Sequence, residues 1–178
     1  MDYYASFFNT GQGRAAVVAT ERGLCRVCLP GEDAGMLFTQ ENLDFLPPSR
    51  LTEQAARMLT KYFKGEPQQF ELIELDYDIP GVFRQRILDS IRSIPFGQVR
   101  SYGEVAAAAG APRAARAVGG AMAANPLPIV IPCHRVIAGD GRLTGYSAPG
   151  GLLLKKFILQ MEGVEFKGEL VLLKKEGY

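Results

Sequence analysis

The chain has 178 residues, 47% of them hydrophobic and 22% charged, which suits one large or two small globular domains and excludes a disordered or fibrous chain. No stretch approaches the roughly 18 apolar residues of a membrane-spanning helix. Residues 1–8 lack the basic-then-apolar order of a secretion signal, so a soluble protein of the cytoplasm (or nucleus, in a eukaryote) with no membrane partner is expected.

The net charge of +1 conceals an asymmetry: residues 1–80 carry 7 Lys/Arg against 12 Asp/Glu, and residues 81–178 carry 13 against 7. Either surface charge has segregated by chance or the second half meets a polyanion. In the acidic half, residues 15–19 and 24–29 are short β-prone runs around a hairpin turn at Thr20-Glu21-Arg22-Gly23. The second run contains a C-x-x-C, Cys25 and Cys28. Zinc needs two further ligands, and the chain offers one more Cys and a single His, so buried strand cysteines and no metal site are expected. From Thr52, the spacing of Ala55, Met58, Leu59, Tyr62 and Phe63 predicts a helix ended by Gly65 and Pro67. Residues 70–75 alternate apolar residues with Glu, the pattern of a strand. This half has no catalytic constellation and reads as a mixed α/β scaffold domain, residues 1–80, closed by the turn signals Asp78-Ile79-Pro80-Gly81.

In residues 81–178, Val82, Phe83, Ile87, Leu88 and Ile91 trace one helix face, stopped by Pro95-Phe96-Gly97. Ser101 and Glu104 form a capping box opening a short helix that Gly110 ends. Pro112 then suits the first turn of a further helix running through Arg113 and Arg116 to Ala124, before Asn125-Pro126. The pair is a helix-turn-helix candidate. Its second helix carries two Arg one turn apart and otherwise almost only Ala and Gly, either for core packing or for close approach to another surface.

Residues 129–131 predict a buried strand that runs through Pro132 into Cys133, followed directly by the one His of the chain, His134. An imidazole can take a thiol's proton and so create a strong nucleophile. Neighbours on a regular strand face opposite ways, so cooperation needs a turn at Cys133 or a bridging water. Downstream, Gly139-Asp140-Gly141 makes a turn, and residues 145–151 form a polar loop suited to a pocket wall. A last helix over residues 152–161 delivers Glu162, a carboxylate able to orient His134. These ingredients also suit a cysteine hydrolase, and the helix pair alone would suit a transcription regulator.

Pro132-Cys133-His134-Arg135-Val136 resembles the active-site signature of the O6-alkylguanine-DNA alkyltransferases, the methylated-DNA–protein-cysteine methyltransferases. The likeness runs from Phe83 through Pro95-Phe96-Gly97, Ser101-Tyr102, residues 114–122, Asn125-Pro126, Gly145-Tyr146-Ser147 and Glu162-Gly163. It implies an α/β (α+β) fold: a small ribonuclease H-like N-terminal domain, then a helical, winged-helix-like DNA-binding and alkyl-acceptor domain. It further implies irreversible transfer of the alkyl group of O6-alkylguanine, with O4-alkylthymine left open, onto Cys133 in a single turnover and without a cofactor.

By the same resemblance, Glu162, His134 and a water activate Cys133, and Asn125 braces its turn. Tyr102 helps rotate the flipped nucleotide and donates to guanine N3. Arg116 fills the gap in the base stack, while Arg113, Ala114, Ala117, Gly119 and Met122 lie against the minor groove of double-stranded DNA. The carbonyls of Cys133 and Val136 accept from the guanine amino group, and Tyr146 and Ser147 complete the base pocket. A monomer is expected. Ala123-Ala124 stands where some relatives carry a basic residue, which implies weaker DNA affinity. Some relatives bind zinc in the N-terminal domain through Cys and His; with no His there and only Cys25 and Cys28, no such site is expected.

Overall fold

In the computed structural model, which describes residues 2–31, 40–77 and 81–173, the chain divides into two units, Met1–Asp78 and Ile79–Tyr178. Residues 78–80, the centre of the expected boundary, lie outside the described residues.

The first unit is built on an antiparallel sheet of β1 (Tyr4–Asn9), β2 (Arg14–Ala19) and β3 (Leu24–Cys28), in that order. Tyr4 stands opposite Ala19, and Val17 opposite Val27. All five Ala and Val residues of β2 are buried, as a central strand covered on both faces requires. Ala5, Ala16, Val18 and Cys28 pack with Leu43 of α1 (Gln40–Leu43). α2 (Arg50–Tyr62) packs on β1 and β2 through a face that includes Ala55, Ala56, Leu59 and Tyr62. It starts two residues before the expected run because Ser49 caps it: Thr52 N–H donates to Ser49 Oγ at 3.2 Å, and Ser49 N–H to Thr52 Oγ1 at 2.9 Å.

The expected strand over residues 70–75 is instead a 3-10 turn, Phe70–Leu72, followed by a single bridge from Leu75 to Leu24. A strand would bury Phe70 and Leu72 on one face. The chain buries Phe70 and Ile73, three apart, and leaves Leu72 exposed, which is 3-10 spacing. On β3, Cys28 is buried and Cys25 half-buried, and Cys25 donates to the Val18 carbonyl at 3.5 Å.

The second unit opens with α3 (Val82–Arg92), which turns Ile87, Leu88 and Ile91 inward. Val82, expected on that face, is 73% exposed. A two-residue strand, β4 (Arg100–Ser101), leads into α4 (Tyr102–Ala108), whose capping box joins Glu104 N–H to Ser101 Oγ at 3.2 Å and Ser101 N–H to Glu104 Oε2 at 2.6 Å. Gly110, at φ +83°, ends it.

The next helix, α5 (Ala115–Ala123), starts later than the sequence predicts. Ala114 N–H donates to the Ala111 carbonyl at 2.9 Å, so Pro112 and Arg113 are the middle of a β-turn, a position that suits proline's fixed φ. Arg113 therefore precedes the helix, whereas Arg116 lies in its first turn. α3, α4 and α5 pack on one another, with α4, the Gly110 turn and α5 as a helix-turn-helix.

β5 (Val136–Ile137) pairs parallel to β4, with Arg100 opposite Val136. α6 (Gly151–Met161) follows, and β6 (Phe166–Lys167) and β7 (Leu170–Val171) close as a hairpin. Ile137, Leu159, Val164 and Val171 form a small core there. Lys174 and Lys175 of the tail lie outside the described residues. Among those described, no helix is long and apolar enough to cross a membrane.

Candidate active site

The residues before Cys133 form a turn, not the expected strand. Ile131 N–H donates to the Leu127 carbonyl at 2.8 Å, and Ile129 between them takes φ +74°, a conformation that a β-branched residue rarely adopts. Asn125 braces this turn: its Nδ2 donates to the Ile131 carbonyl at 2.9 Å and its Oδ1 accepts from Leu127 N–H at 3.0 Å. The Ile131 carbonyl also accepts Cys133 N–H at 2.8 Å, starting a 3-10 turn over Cys133–Arg135. A curled backbone replaces the alternation of a strand, so adjacent Cys133 and His134 need not face opposite ways.

His134 Nε2 lies 2.9 Å from Glu162 Oε1, and both side chains are fully buried. Glu162 caps the C-terminus of α6 and serves a second partner, Arg135, whose Nε and Nη2 reach it at 3.0 and 2.9 Å. Arg135 Nη1 donates to the Ile94 carbonyl at 2.6 Å, and its guanidinium lies 5.9 Å from the Phe96 ring centroid. Gly97 N–H adds a bond to Glu162 Oε2 at 3.2 Å. Gly97 has to be glycine: it sits at φ +73°, and a Cβ there would stand 2.7 Å from the Glu162 carbonyl oxygen.

Burial alone would raise the Glu162 carboxyl, but the bonds and charges of His134 and Arg135 outweigh it and hold it at about 2. Burial lowers His134 against the pull of Glu162, so the imidazole is neutral at neutral pH. Since an ionised carboxylate only accepts, Nε2 carries the proton and Nδ1 is the basic nitrogen. The Cys133 thiol is pushed up by burial, opposed by Asn125, Lys155 and local N–H groups. At rest it is protonated, and it needs a base.

Cys133 opens on a cavity of about 310 Å³ lined also by Tyr102, Gly119, Met122, Ala123, Gly145, Tyr146 and Ser147. Tyr102 hangs from the first turn of α4, its hydroxyl 3.3 Å from both the carbonyl and the Oγ1 of Thr144. Lys155 of α6 is wholly buried. Its Nζ donates to the Val136 carbonyl at 2.6 Å and to the Thr144 carbonyl at 2.8 Å, which ties the cysteine turn to the cavity loop. Burial lowers it to about 8, while the nearby Cys133 raises it.

The sequence-predicted residues thus fall into three groups. His134 and Glu162 form a buried pair, Asn125 braces the turn that leads into Cys133, and Tyr102, Tyr146, Ser147, Gly119 and Met122 line the adjoining cavity with Cys133. Arg116 and Ala117 are exposed on α5, Arg113 is exposed on the preceding turn, and Ala114 is half-buried at the helix start. Val136, expected in the base pocket, is buried in β5 and does not line the cavity, and its carbonyl is bonded to Lys155.

Two family models match the chain: the ribonuclease-like domain of 6-O-methylguanine DNA methyltransferase over residues 3–77 and its DNA-binding domain over residues 82–164. The constitutive methylated-DNA–protein-cysteine methyltransferase of Bacillus subtilis is 37% identical over 94% of this chain and 99% of its own. That of Mycobacterium leprae is 41% identical over 70% and 73%. The chain belongs to the methylated-DNA–protein-cysteine methyltransferase family. Its fold matches the O6-methylguanine methyltransferase of Mycobacterium tuberculosis, with a TM-score of 0.71 and 34% identity over 90% of this chain and 92% of that one. A Mycobacterium tuberculosis OGT structure in complex with DNA aligns at TM-score 0.73 and 35% identity, over 91% and 92%.

Sequence reasoning passed over three residues of this methyltransferase site. Arg135 sits inside the signature, but only the fold brings it to Glu162. Lys155 carries a signal, since it shares the inward stripe of α6 with Leu154, Ile158 and Leu159, where a lysine is out of place. The positive φ of Ile129 has no trace in its residue type.

Proposed function

We propose that this chain repairs O6-alkylguanine in double-stranded DNA by moving the alkyl group onto Cys133 in one irreversible step. The observation that carries the reading is a buried Cys133 that lines a cavity and directly precedes His134 of a buried His134–Glu162 pair. His134 takes the thiol proton through a bridging water while Glu162 holds the imidazole in the required tautomer. Cys133 Sγ then attacks the alkyl carbon. The S–C bond forms, the C–O6 bond breaks, and its electron pair leaves with the guanine oxygen. Tyr102 and the backbone near Ser147 offset the charge developing on guanine. The product is a stable thioether, so each molecule acts once and needs no cofactor.

Residues 1–80 serve as the scaffold and residues 81–178 as the DNA-binding, alkyl-accepting domain. α5 enters the minor groove as a monomer's recognition helix, its Ala and Gly residues admitting it to a groove about 6 Å wide. Arg116 occupies the space vacated by the flipped nucleotide. Arg113 contacts the backbone from the preceding turn. The proposed setting is the compartment that holds the DNA, cytoplasm or nucleus. With excess duplex carrying a labelled O6-methylguanine, label on the protein is expected to stop at one equivalent per chain, and Cys133→Ala to take none while still binding the duplex. Release of alkyl product beyond one equivalent would instead mean a hydrolase.

A further inference from the structure

We propose that Arg135 is a positioning residue that sets the charge of His134: by saturating Glu162 it keeps the imidazole neutral, and so able to act as a base, into mildly acidic solution. The inference rests on His134 being the base of the proposed transfer. It is carried by one carboxylate serving two basic side chains. Glu162 Oε1 accepts from His134 Nε2 at 2.9 Å and from Arg135 Nη2 at 2.9 Å, and Oε2 accepts from Arg135 Nε at 3.0 Å. Arg135 cannot be displaced easily, because Nη1 is anchored on the Ile94 carbonyl at 2.6 Å and the guanidinium is nearly buried.

A guanidinium does not give up its proton in a protein. Arg135 therefore cancels the single negative charge of Glu162 permanently. Charging His134 as well would leave a buried cluster with an uncompensated positive charge, beside the Lys155 ammonium. The groups that bear on His134 are Cys133 and Arg135 on its own turn and Glu162 and Lys155 from α6. Of these, only Glu162 favours the imidazolium while Cys133 stays a thiol, and Arg135 offsets it. When Cys133 gives up its proton, the new thiolate balances the imidazolium, so transfer costs no net charge. The arrangement disfavours a proton from solvent without disfavouring one from Cys133.

The chain has a single histidine, so imidazole NMR of the unalkylated full chain reads His134 without assignment ambiguity. His134 of the wild type is expected to titrate below the ordinary value of about 6.5. Arg135→Lys, which keeps the charge, should titrate close to wild type, whereas Arg135→Met should shift upward by about one pH unit or more. Single-turnover methyl transfer should then lose more rate in Arg135→Met at about pH 5.5 than at about pH 8. A purely structural role would lower the rate equally at both.

Wild-type titration at or above 6.5 would overturn the proposal even if Arg135→Met fails to fold. So would an unmoved Arg135→Met, or equal shifts in both variants. A wild type that transfers no methyl group would remove the proposed function, and the histidine titration would still decide the effect of Arg135.

Discussion

Asn125 Nδ2 bonds to the Ile131 carbonyl at 2.9 Å, and that same carbonyl accepts the amide of Cys133. One side chain thus holds the turn that aims the nucleophile, against the strain of Ile129 at φ +74°. Asn125→Ala removes this bond and the one to Leu127 N–H. It is expected to destabilise the protein by about 1–3 kcal/mol, since part-buried polar groups lose their partners. Single-turnover transfer should slow by more than the unfolded fraction accounts for. Urea denaturation and stopped-time assays on one preparation check both.

Glu162→Gln keeps the shape of the side chain and removes the charge that His134 and Arg135 share. Transfer is expected to slow by about 10²–10⁴-fold, the usual range for lost acid–base assistance. The protein should also lose about 3–5 kcal/mol of stability, because Arg135 is left as an uncompensated buried cation. Binding to a lesion duplex, measured by fluorescence anisotropy on the folded fraction, should persist. A rate within a few-fold of wild type would contradict the role given to Glu162.

Arg116 and Arg113 separate two kinds of DNA contact. Arg116→Ala should lower the repair rate at sub-saturating duplex by about tenfold or more, if its guanidinium replaces a stacked base worth about 1–3 kcal/mol. Its thermal stability should hardly change, as it is an exposed helix residue. Arg113→Ala should act mainly on affinity and reduce the slope of log K against log salt by about 1. Equal behaviour of the two variants would argue against a special place for Arg116.

Stability should fall on acidification through two buried groups acting with the same sign. His134 takes a proton less readily in the folded chain than in the unfolded one, so its contribution is complete above about pH 6.5 and is lost as pH falls below that value. Glu162 stands at about 2 in the folded chain against 4.5 ordinarily. Its contribution, about 3 kcal/mol, is complete above pH 4.5 and is lost as pH falls toward 2. Urea midpoints should therefore decline below neutrality and steepen below pH 4.5. In Glu162→Gln the steep acid phase should be reduced.

Local signals survived folding wherever neighbours in sequence determine the structure. The Ser101–Glu104 box, the Gly110 stop and the β2–β3 hairpin are of this kind, and all stand in the fold. β1 carries no clear alternation in its residue types, because Ala5 and Phe7 pack toward one cluster while the adjacent Phe8 is buried as well. Residues 70–75 misled because alternation also fits a 3-10 turn that buries Phe70 and Ile73. Pro112 does not fix the start of α5, because proline suits a β-turn as well as a helix start. At the site, the His134–Glu162 pairing was legible from chemistry, whereas Arg135 on Glu162 depends on Ile94 and Gly97 arriving from another segment.

Of the three cysteines, Cys133 is the proposed alkyl acceptor. The most direct test is the intact mass and peptide map of the chain after exposure to excess duplex carrying one O6-methylguanine. One added methyl group per chain is expected, on Cys133, with Cys25 and Cys28 unmodified and no gain in Cys133→Ala. An unmodified chain, or a methyl group on Cys25 or Cys28, would contradict it.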